Sequence, residues 1–231
     1  MKPVLEHSWN VAPAEARAIQ QQLRSKVRQQ NSAALRRLRY VAGIDISVKA
    51  NWATAAVVVL GFPDLELVEV VTSRQEVRFP YVPGLLSFRE CPAILAAAAK
   101  LSVEPQLLLL DGQGIAHPRR FGLAAHLGVL FEIASIGCAK TRLLGEHDEP
   151  HELAGSYTDL WDGNEQIGGV LRTRTGVKPL YISVGHRVEL PTALDLVLQC
   201  CVKYRLPEPT RLAHQAAGGT LRRKIGEKPP D

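Results

Sequence analysis

Two aspartates lie at places where the sequence predicts strands. Asp45 interrupts the apolar run 41–46, and Asp111 directly follows the apolar run 107–110. An unpaired buried carboxylate is costly, so Asp45 requires a cation or hydrogen-bond donors. Ligands of open α/β sheets bind at the carboxyl ends of strands, so both side chains open onto one site if their strands are neighbours. Carboxylate oxygens without Cys or His indicate Mg²⁺ or Mn²⁺, although each aspartate alone is more often a satisfied strand-end residue.

Glu90 is a candidate for a third metal ligand. In the first turn of a predicted helix, it would face the same sheet edge as Asp45 and Asp111. However, Ser87 and Glu90 also have the S-x-x-E spacing of a capping box, in which the glutamate bonds the backbone at the start of the helix. Both roles remain open, and the spacing alone favours the cap.

Lys140 and three histidines are further polar candidates. Lys140 follows a predicted strand at the same edge as Asp111, where a cation can neutralise a phosphate oxygen or position an attacking water. The alternative is a strand-end lysine that extends into solvent. His117 could orient a phosphate or cap a helix, whereas the isolated His186 and His214 fit structural roles.

The segment 111–120 contains Gly112 and Gly114 ahead of a predicted helix, so its backbone N–H groups could cradle an anion. It is not a dinucleotide-binding fingerprint, because the third glycine is missing. Arg119 and Arg120 would flank such an anion site, although surface arginines are usually solvated.

Tyr81 lies in the turn 79–84 between Pro80 and Pro83, whose rings restrict the backbone. A tyrosine in such a turn usually packs into the core. In a protein that handles nucleic acid, a rigidly held aromatic ring could instead enter a base stack and replace a displaced base.

Hydrophobic periodicity predicts the elements that position these residues. It gives an N-terminal helix at 13–30. The following elements are strands at 40–48, 54–62 and 65–78, a helix at 87–101, a strand at 107–110, a helix at 118–131 and a strand at 133–139. Short connections make the first three strands antiparallel, and right-handed crossovers make the last two parallel. This order is that of a ribonuclease H-like α/β fold, a mixed central β-sheet flanked by helices.

The C-terminal part has weaker patterns. Residues 143–178 predict loops, with a hairpin formed by 169–174 and 180–184, and a helix follows at 191–204. The tail from residue 218 is predicted to be disordered. We expect residues 1–231 to form a single domain, since a chain of this length buries a core without disulfides.

Composition excludes several classes of protein. With 46% hydrophobic and 22% charged residues, the chain is not collagen-like, coiled-coil or wholly disordered. Its apolar stretches are shorter than the roughly 18 to 20 residues of a membrane-spanning helix, and its N-terminus lacks the pattern of a signal peptide. The four cysteines form no C-x-x-C pair, which disfavours zinc and indicates a reducing compartment, here the cytoplasm. A net charge of +5 favours a polyanionic partner.

Four motifs are similar to those of the endonuclease V family. They are VAGID at 41–45, PYVPGLLSFRE at 80–90, DGQGIAHPR at 111–119 and GCAK at 137–140. The segments 182–187 and 206–211 also resemble this family, so the resemblance covers most of the chain. The long motif at 80–90 is the most specific of the set.

The resemblance implies a ribonuclease H-like, Mg²⁺-dependent DNA repair endonuclease in which Mn²⁺ substitutes for Mg²⁺. Such an enzyme acts on DNA that contains deaminated bases, above all deoxyinosine, and hydrolyses the second phosphodiester bond 3′ to the lesion. Inosine-containing RNA remains open as a further substrate. We expect a monomer that binds DNA and no membrane.

The resemblance also implies roles for individual residues. The expected catalytic residues are Asp45, Glu90, Asp111, Lys140 and His214. The three acidic residues of this set match the family's metal ligands, and the lysine matches its catalytic lysine. The histidine matches a position where some relatives have His and others Asp. The expected substrate-binding residues are Tyr81, Pro83, Gly84, Leu85, Gly112 and His117, with the tyrosine as a strand-separating wedge.

Two other functions are weighed against this one. The chain could be a catalytically inactive nucleic-acid-binding protein of the same fold, or a metal-dependent hydrolase of small phosphoesters. The intact carboxylates and Lys140 disfavour the first function. The turn at Tyr81 disfavours the second, because a small substrate needs no wedge.

Overall fold

The computed structural model describes residues 1–221, and eight strands within them form one sheet. The strands are β1 (Tyr40–Lys49), β2 (Trp52–Gly61), β3 (Leu67–Glu76), β4 (Leu107–Leu110), β5 (Ala134–Ala139), β6 (Tyr157–Asp162), β7 (Glu165–Leu171) and β8 (Leu180–His186). The helices are α1 (Pro13–Arg24), α2 (Leu86–Ala98), α3 (Leu123–Phe131), α4 (Leu190–Gln199) and α5 (Glu208–Ala217), with a short 3-10 helix at Ala33–Arg37. The strand order is β3-β2-β1-β4-β5-β8-β7-β6.

The first five strands have the predicted arrangement. β1, β2 and β3 form an antiparallel meander, and β4 and β5 then add in parallel on the other side of β1. All four leucines of β4 are buried, as the unbroken apolar run indicates for a central strand with both faces covered. The prediction of a mixed sheet with three antiparallel and then two parallel strands is therefore confirmed.

Helices cover both faces of the sheet and form two apolar layers. Side chains such as Val57 pack on one face with Ile94 of α2 and Leu127 of α3. Side chains such as Leu109 pack on the other face with Val197 of α4 and with α5. The site at the end of the central strands is thus held between two packed layers. Within residues 1–221 no helix has the length and apolar character needed to cross a membrane.

Three predicted helix boundaries are wrong. α1 ends at Arg24 and not at residue 30, because a turn follows and the backbone of Arg28 then bonds His186 at the end of β8 and Arg187 after it. α3 begins at Leu123 and not at residue 118, because residues 117–120 form a tight turn. α4 ends at Gln199 and not at residue 204, because the Cys200 carbonyl turns to accept the Glu208 amide.

The strand β6, the helix α5 and the short 3-10 helix at Ala33–Arg37 were not predicted. The edge strand β6 pairs with β7 but only its Leu160 is buried, and its sequence lacks the regular alternation that marks a half-buried strand. α5 begins at Glu208, where two prolines suggested only the end of a helix. Pro209 lies in the first turn of α5, where its missing N–H costs nothing. Residues 222–231 of the predicted tail lie outside the described residues.

Gly43 in the middle of β1 allows α5 to pack against this strand. A Cβ atom at this position would lie only 2.0 Å from the carbonyl carbon of Pro209. Any side chain here would push α5 away from the sheet. Glycine therefore permits the close approach that brings the later residues of α5 to the end of β1.

Candidate active site

Asp45 and Asp111 lie side by side because of the register between two parallel strands. Ile44 of β1 pairs with Leu110 of β4, and each aspartate is the next residue of its strand. The amide of Asp111 also donates to the carbonyl oxygen of Ile44 at 3.4 Å. Burial raises the pKa of Asp45, and the negative charge of Asp111 raises it further. The two carboxylates therefore share one site, as their sequence positions predict.

Each aspartate contacts a basic side chain. The Nζ atom of Lys140, which follows β5, contacts the Oδ2 atom of Asp111. The Nδ1 atom of His214 on α5 lies 2.6 Å from Oδ2 of Asp45. His214 is 64% exposed, so the isolated structural role that its sequence favoured is wrong. The packing of α5 on β1 brings it to the site.

Glu90 does not cap a helix. The residue that caps α2 is Leu85, and Ser87 lies inside the helix with its Oγ atom 2.9 Å from Nδ1 of His126. The capping-box alternative is therefore wrong. Burial, together with the charges of Asp45 and Asp111, raises the pKa of Glu90 to about 8. Glu90 is thus electrostatically coupled to both aspartates.

The donor chemistry of this cluster fits a hard divalent cation. Glu90, Asp45 and Asp111 present carboxylate oxygens, which are the ligands that Mg²⁺ prefers. Burial, and then the neighbouring carboxylates, raise the pKa values of Asp45 and Glu90, and a bound cation would offset both effects by stabilising the ionised carboxylates. In the present arrangement Lys140 and His214 contact the aspartates, and among residues 1–221 no group of three His, Cys, Asp or Glu side chains is set to hold a metal ion.

A cleft of about 490 Å³ adjoins the carboxylates, with Asp111 in its wall. Its lining includes Tyr81, Pro83, Gly84, Gly112, His117 and Lys140. Tyr81 stands at the rim with 72% of its surface exposed, so it does not pack into the core. Leu85 is the one predicted substrate-binding residue whose side chain does not line the cleft, because it packs beneath the turn with Phe79 and Phe88.

His117 and the arginines after it are engaged by the protein. Nε2 of His117 donates to the carbonyl oxygen of Gly84 at 3.0 Å, and Nδ1 accepts from the Arg119 amide. Arg119 also donates to the Gly84 carbonyl, while Arg120 pairs with Asp162 and with a glutamate of β7. His117 therefore neither caps a helix nor faces a free anion site, and the idea that both arginines flank an anion is wrong.

Acidification is expected to destabilise the protein through His117. Burial, with the charges of Arg119 and Arg120, lowers the pKa of His117 from 6.5 to about 4. The unfolded chain thus binds more protons below pH 6.5, and stability falls as the pH drops from 6.5 towards 4. Between pH 7 and pH 5 this residue contributes a loss of about 2 kcal/mol.

Urea unfolding at both pH values tests this expectation. His117→Gln keeps a neutral donor at this position, so its free energy of unfolding should fall less than that of the wild type by about 2 kcal/mol over the same interval. An equal pH dependence of the two proteins would contradict the assignment. His151→Gln, an exposed histidine, serves as the control.

Arg205 supports the site but was not singled out from the sequence. Its Nη2 atom donates to the backbone carbonyls of Lys140 at 2.9 Å and of Pro179 at 2.7 Å. It thereby ties the chain after β5 to the chain before β8. These partners are 65 and 26 residues away, so no local pattern could have revealed the contact.

Comparison with known proteins identifies the family to which the chain belongs. A model of the Endonuclease V family matches residues 21–215. The chain is 49% identical over 217 residues to endonuclease V of Roseiflexus sp. (strain RS-1), covering 94% of this chain and 97% of that protein. Its structure is similar to the crystal structure of endonuclease V from Streptomyces avermitilis, with a TM-score of 0.86, 40% identity and coverage of 96% and 98%.

A further similar structure contains nucleic acid. It is Ciona intestinalis endonuclease V in complex with a 24-mer DNA that contains an inosine followed by a ribo-adenosine, with a TM-score of 0.76 and 30% identity. This similarity covers 90% of the present chain and 97% of the Ciona chain. The matches extend over nearly the whole chain and include the strands that carry both aspartates. The chain therefore belongs to the endonuclease V family.

Proposed function

We propose that this protein is a Mg²⁺-dependent endonuclease that nicks DNA at deaminated bases, chiefly deoxyinosine, at the second phosphodiester bond 3′ to the lesion. The observation that carries the proposal is the continuity of the carboxylate cluster at Asp45 and Asp111 with the cleft behind Tyr81. The carboxylate cluster suits hydrolysis of a phosphodiester, and the adjoining cleft suits a displaced base. The inosine-containing DNA bound by the Ciona relative supports this substrate class.

Asp45, Glu90 and Asp111 are the residues that would hold the metal. A bound Mg²⁺ supplies Lewis-acid stabilisation of phosphate charge and lowers the pKa of water. Mn²⁺ prefers the same oxygen ligands, so we expect it to substitute. The three carboxylates come from β1, from the residue directly after β4 and from α2, which pack in one core, so we expect their spacing to change little when substrate binds.

Lys140 and His214 complete the proposed catalytic set. The ammonium group of Lys140 lies at Asp111, where it can neutralise a phosphate oxygen and position the attacking water. His214 holds the carboxylate of Asp45 by its hydrogen bond and thereby orients it. Arg205 fixes the backbone from which Lys140 extends.

Base displacement is the proposed role of the cleft. Hypoxanthine pairs weakly, so its removal from the stack costs less than removal of a normal base. Pro83, Gly84, Gly112 and His117 would surround the displaced base, and the buried Leu85 would support their turn from beneath. Tyr81 would fill the space that the base leaves in the duplex.

One incubation tests the proposed function. Labelled duplex and single-stranded DNA and RNA, each with one inosine, are incubated with the protein in Mg²⁺, in Mn²⁺ or in EDTA. We expect a nick at the second phosphodiester 3′ to deoxyinosine in either metal and no nick in EDTA. Binding without cleavage would favour the inactive nucleic-acid-binding protein. Hydrolysis of a small phosphoester but of none of these nucleic acids would favour the metal-dependent hydrolase of small phosphoesters.

Substitution of Tyr81 tests the wedge. Tyr81→Ala should weaken binding to inosine-containing duplex DNA by about 1 to 3 kcal/mol, the range for stacking of one base on an aromatic ring. The melting temperature should barely change, because the ring is exposed. Tyr157→Ala, which removes another exposed tyrosine, is the matched control. Strong destabilisation with unchanged affinity would show that Tyr81 is a packing residue.

The remaining parts of the proposal concern partners and location. The net charge of +5 suits binding to the DNA backbone. Inosine-containing RNA is proposed as a second substrate, which the incubation above tests. We propose a monomer with a single domain. The four cysteines are free, which supports a reducing compartment such as the cytoplasm.

A further inference from the structure

Gln20 is a buried polar residue in a helix whose other glutamines are exposed. It is 1% exposed and points from α1 towards the turn that carries Tyr81. Its Nε2 atom donates to the carbonyl oxygens of Gly84 and Phe121, both at 3.1 Å. Its Oε1 atom accepts from Nε of Arg119. A buried amide with three partners in separate segments ties those segments together.

The carbonyl oxygen of Gly84 is the centre of this network. It accepts from Nε2 of Gln20, from Nε2 of His117 at 3.0 Å and from Nη2 of Arg119 at 2.6 Å. Across the same peptide bond, the amide of Leu85 donates to the Val82 carbonyl at 2.9 Å. Both polar groups of this peptide are therefore used inside the protein, and its orientation is set before any ligand binds.

Glycine is required at the centre of the network. Gly84 has a φ angle of +76°, and a Cβ atom here would lie 2.6 Å from Nη2 of Arg119. The donors can reach the carbonyl only because no side chain intervenes. Pro80, Tyr81 and Pro83 of the turn are exposed, so its fixed conformation depends on contacts from beneath, namely the packing of Phe79 and Leu85 and the hydrogen bonds to the Gly84 carbonyl.

We infer that Gln20 is a positioning residue for recognition of the lesion, and this inference rests on the proposed function. Gln20 fixes the conformation of the turn before DNA binds, and this turn carries Tyr81 and forms one wall of the cleft. Undamaged DNA binds mainly through phosphate contacts and does not need this turn. A displaced base does need it, so the turn contributes to affinity for the lesion without an ordering cost. The family model matches residues 21–215, so that match does not include Gln20.

Two substitutions separate the hydrogen bonds of Gln20 from its volume. Gln20→Met fills similar space without any hydrogen bond. Gln20→Glu keeps an acceptor for Arg119 but removes the N–H donors to Gly84 and Phe121. Gln21→Met changes an exposed neighbour of the same type and is the control.

The first readout is binding in EDTA to matched duplexes with and without deoxyinosine. Both Gln20 variants should lose about three- to tenfold of the wild-type preference for deoxyinosine, the range for loss of the one hydrogen bond from Gln20 to the carbonyl of Gly84 in the turn. The single-turnover nicking rate in Mg²⁺ at saturating protein should stay within about twofold of wild type, because the carboxylates are unchanged. If Gln20 only stabilised the fold, its substitution would lower the fraction of folded protein, and the folded molecules would keep their preference for deoxyinosine.

The second readout is hydrogen exchange of the Leu85 amide without DNA. In folded Gln20→Met it should exchange about three- to tenfold faster than in wild type, while β1 and β4 stay protected. Unchanged exchange and unchanged preference in both variants would overturn the inference. A wild type that shows no preference for deoxyinosine would instead overturn the proposed function, and the exchange result would still decide whether Gln20 presets the turn.

Discussion

Replacement of Asp45 or Asp111 by asparagine is expected to slow the nicking of inosine-containing DNA by about a thousandfold or more, while the protein stays folded. The physical reason is the loss of a charged oxygen from the proposed metal site, where the cation contributes several kcal/mol of stabilisation to the transition state. Asparagine keeps the shape of the side chain and can still bond Lys140 or His214. The basic contacts to DNA are untouched, so affinity for the lesion in EDTA should remain.

Single-turnover nicking in Mg²⁺ and thermal unfolding in EDTA measure these two consequences. Asp148→Asn, at an exposed position away from the cluster, should match the wild type in both. Asp45→Asn should raise the melting temperature in EDTA, because it removes the cost of burying an ionised carboxylate beside Asp111. Near-normal nicking by either variant at Asp45 or Asp111 would refute the assignment of the metal site.

Glu90→Gln is expected to remove most of the nicking activity, by about a hundredfold or more. Glutamine has the same size but is a weaker ligand, because its amide cannot ionise to bind the cation as a carboxylate does. Because Glu90 lies inside α2 and not at its cap, the substitution should not weaken the start of the helix. Loss of activity would therefore reflect the site and not the fold.

The rate is compared over a range of Mg²⁺ concentrations, with Glu104→Gln as an exposed control. A higher Mg²⁺ requirement in Glu90→Gln, with an unchanged melting temperature, is the result expected for a metal ligand. Equal rates for Glu90→Gln and wild type at saturating Mg²⁺ would return Glu90 to a role in the fold alone.

Local sequence determined the central elements of this protein. The unbroken leucines of β4 form a run of four residues, too short for a helix and without alternation, so they indicate a strand that is covered on both faces. The prediction that Asp45 and Asp111 belong to a site also came from local sequence. A carboxylate inside or directly after a buried strand must lie where a cation or hydrogen-bond donors can contact it. The prolines and Gly84 restrict the backbone of the turn around Tyr81, whereas its orientation also depends on the distant donors to the Gly84 carbonyl.

Only the tertiary structure decided which distant groups meet at this site. His214 lies 169 residues from Asp45 in the sequence, and Gln20 lies 64 residues from Gly84. No periodicity encodes such pairs, because each depends on a helix packing on the sheet or beneath a turn. The role of Glu90 was ambiguous for the same reason: its spacing from Ser87 fits a cap, but the helix begins at Leu86. Packing of α2 and α5 on opposite faces of the sheet, with Gly43 allowing the approach of α5, determines the final geometry.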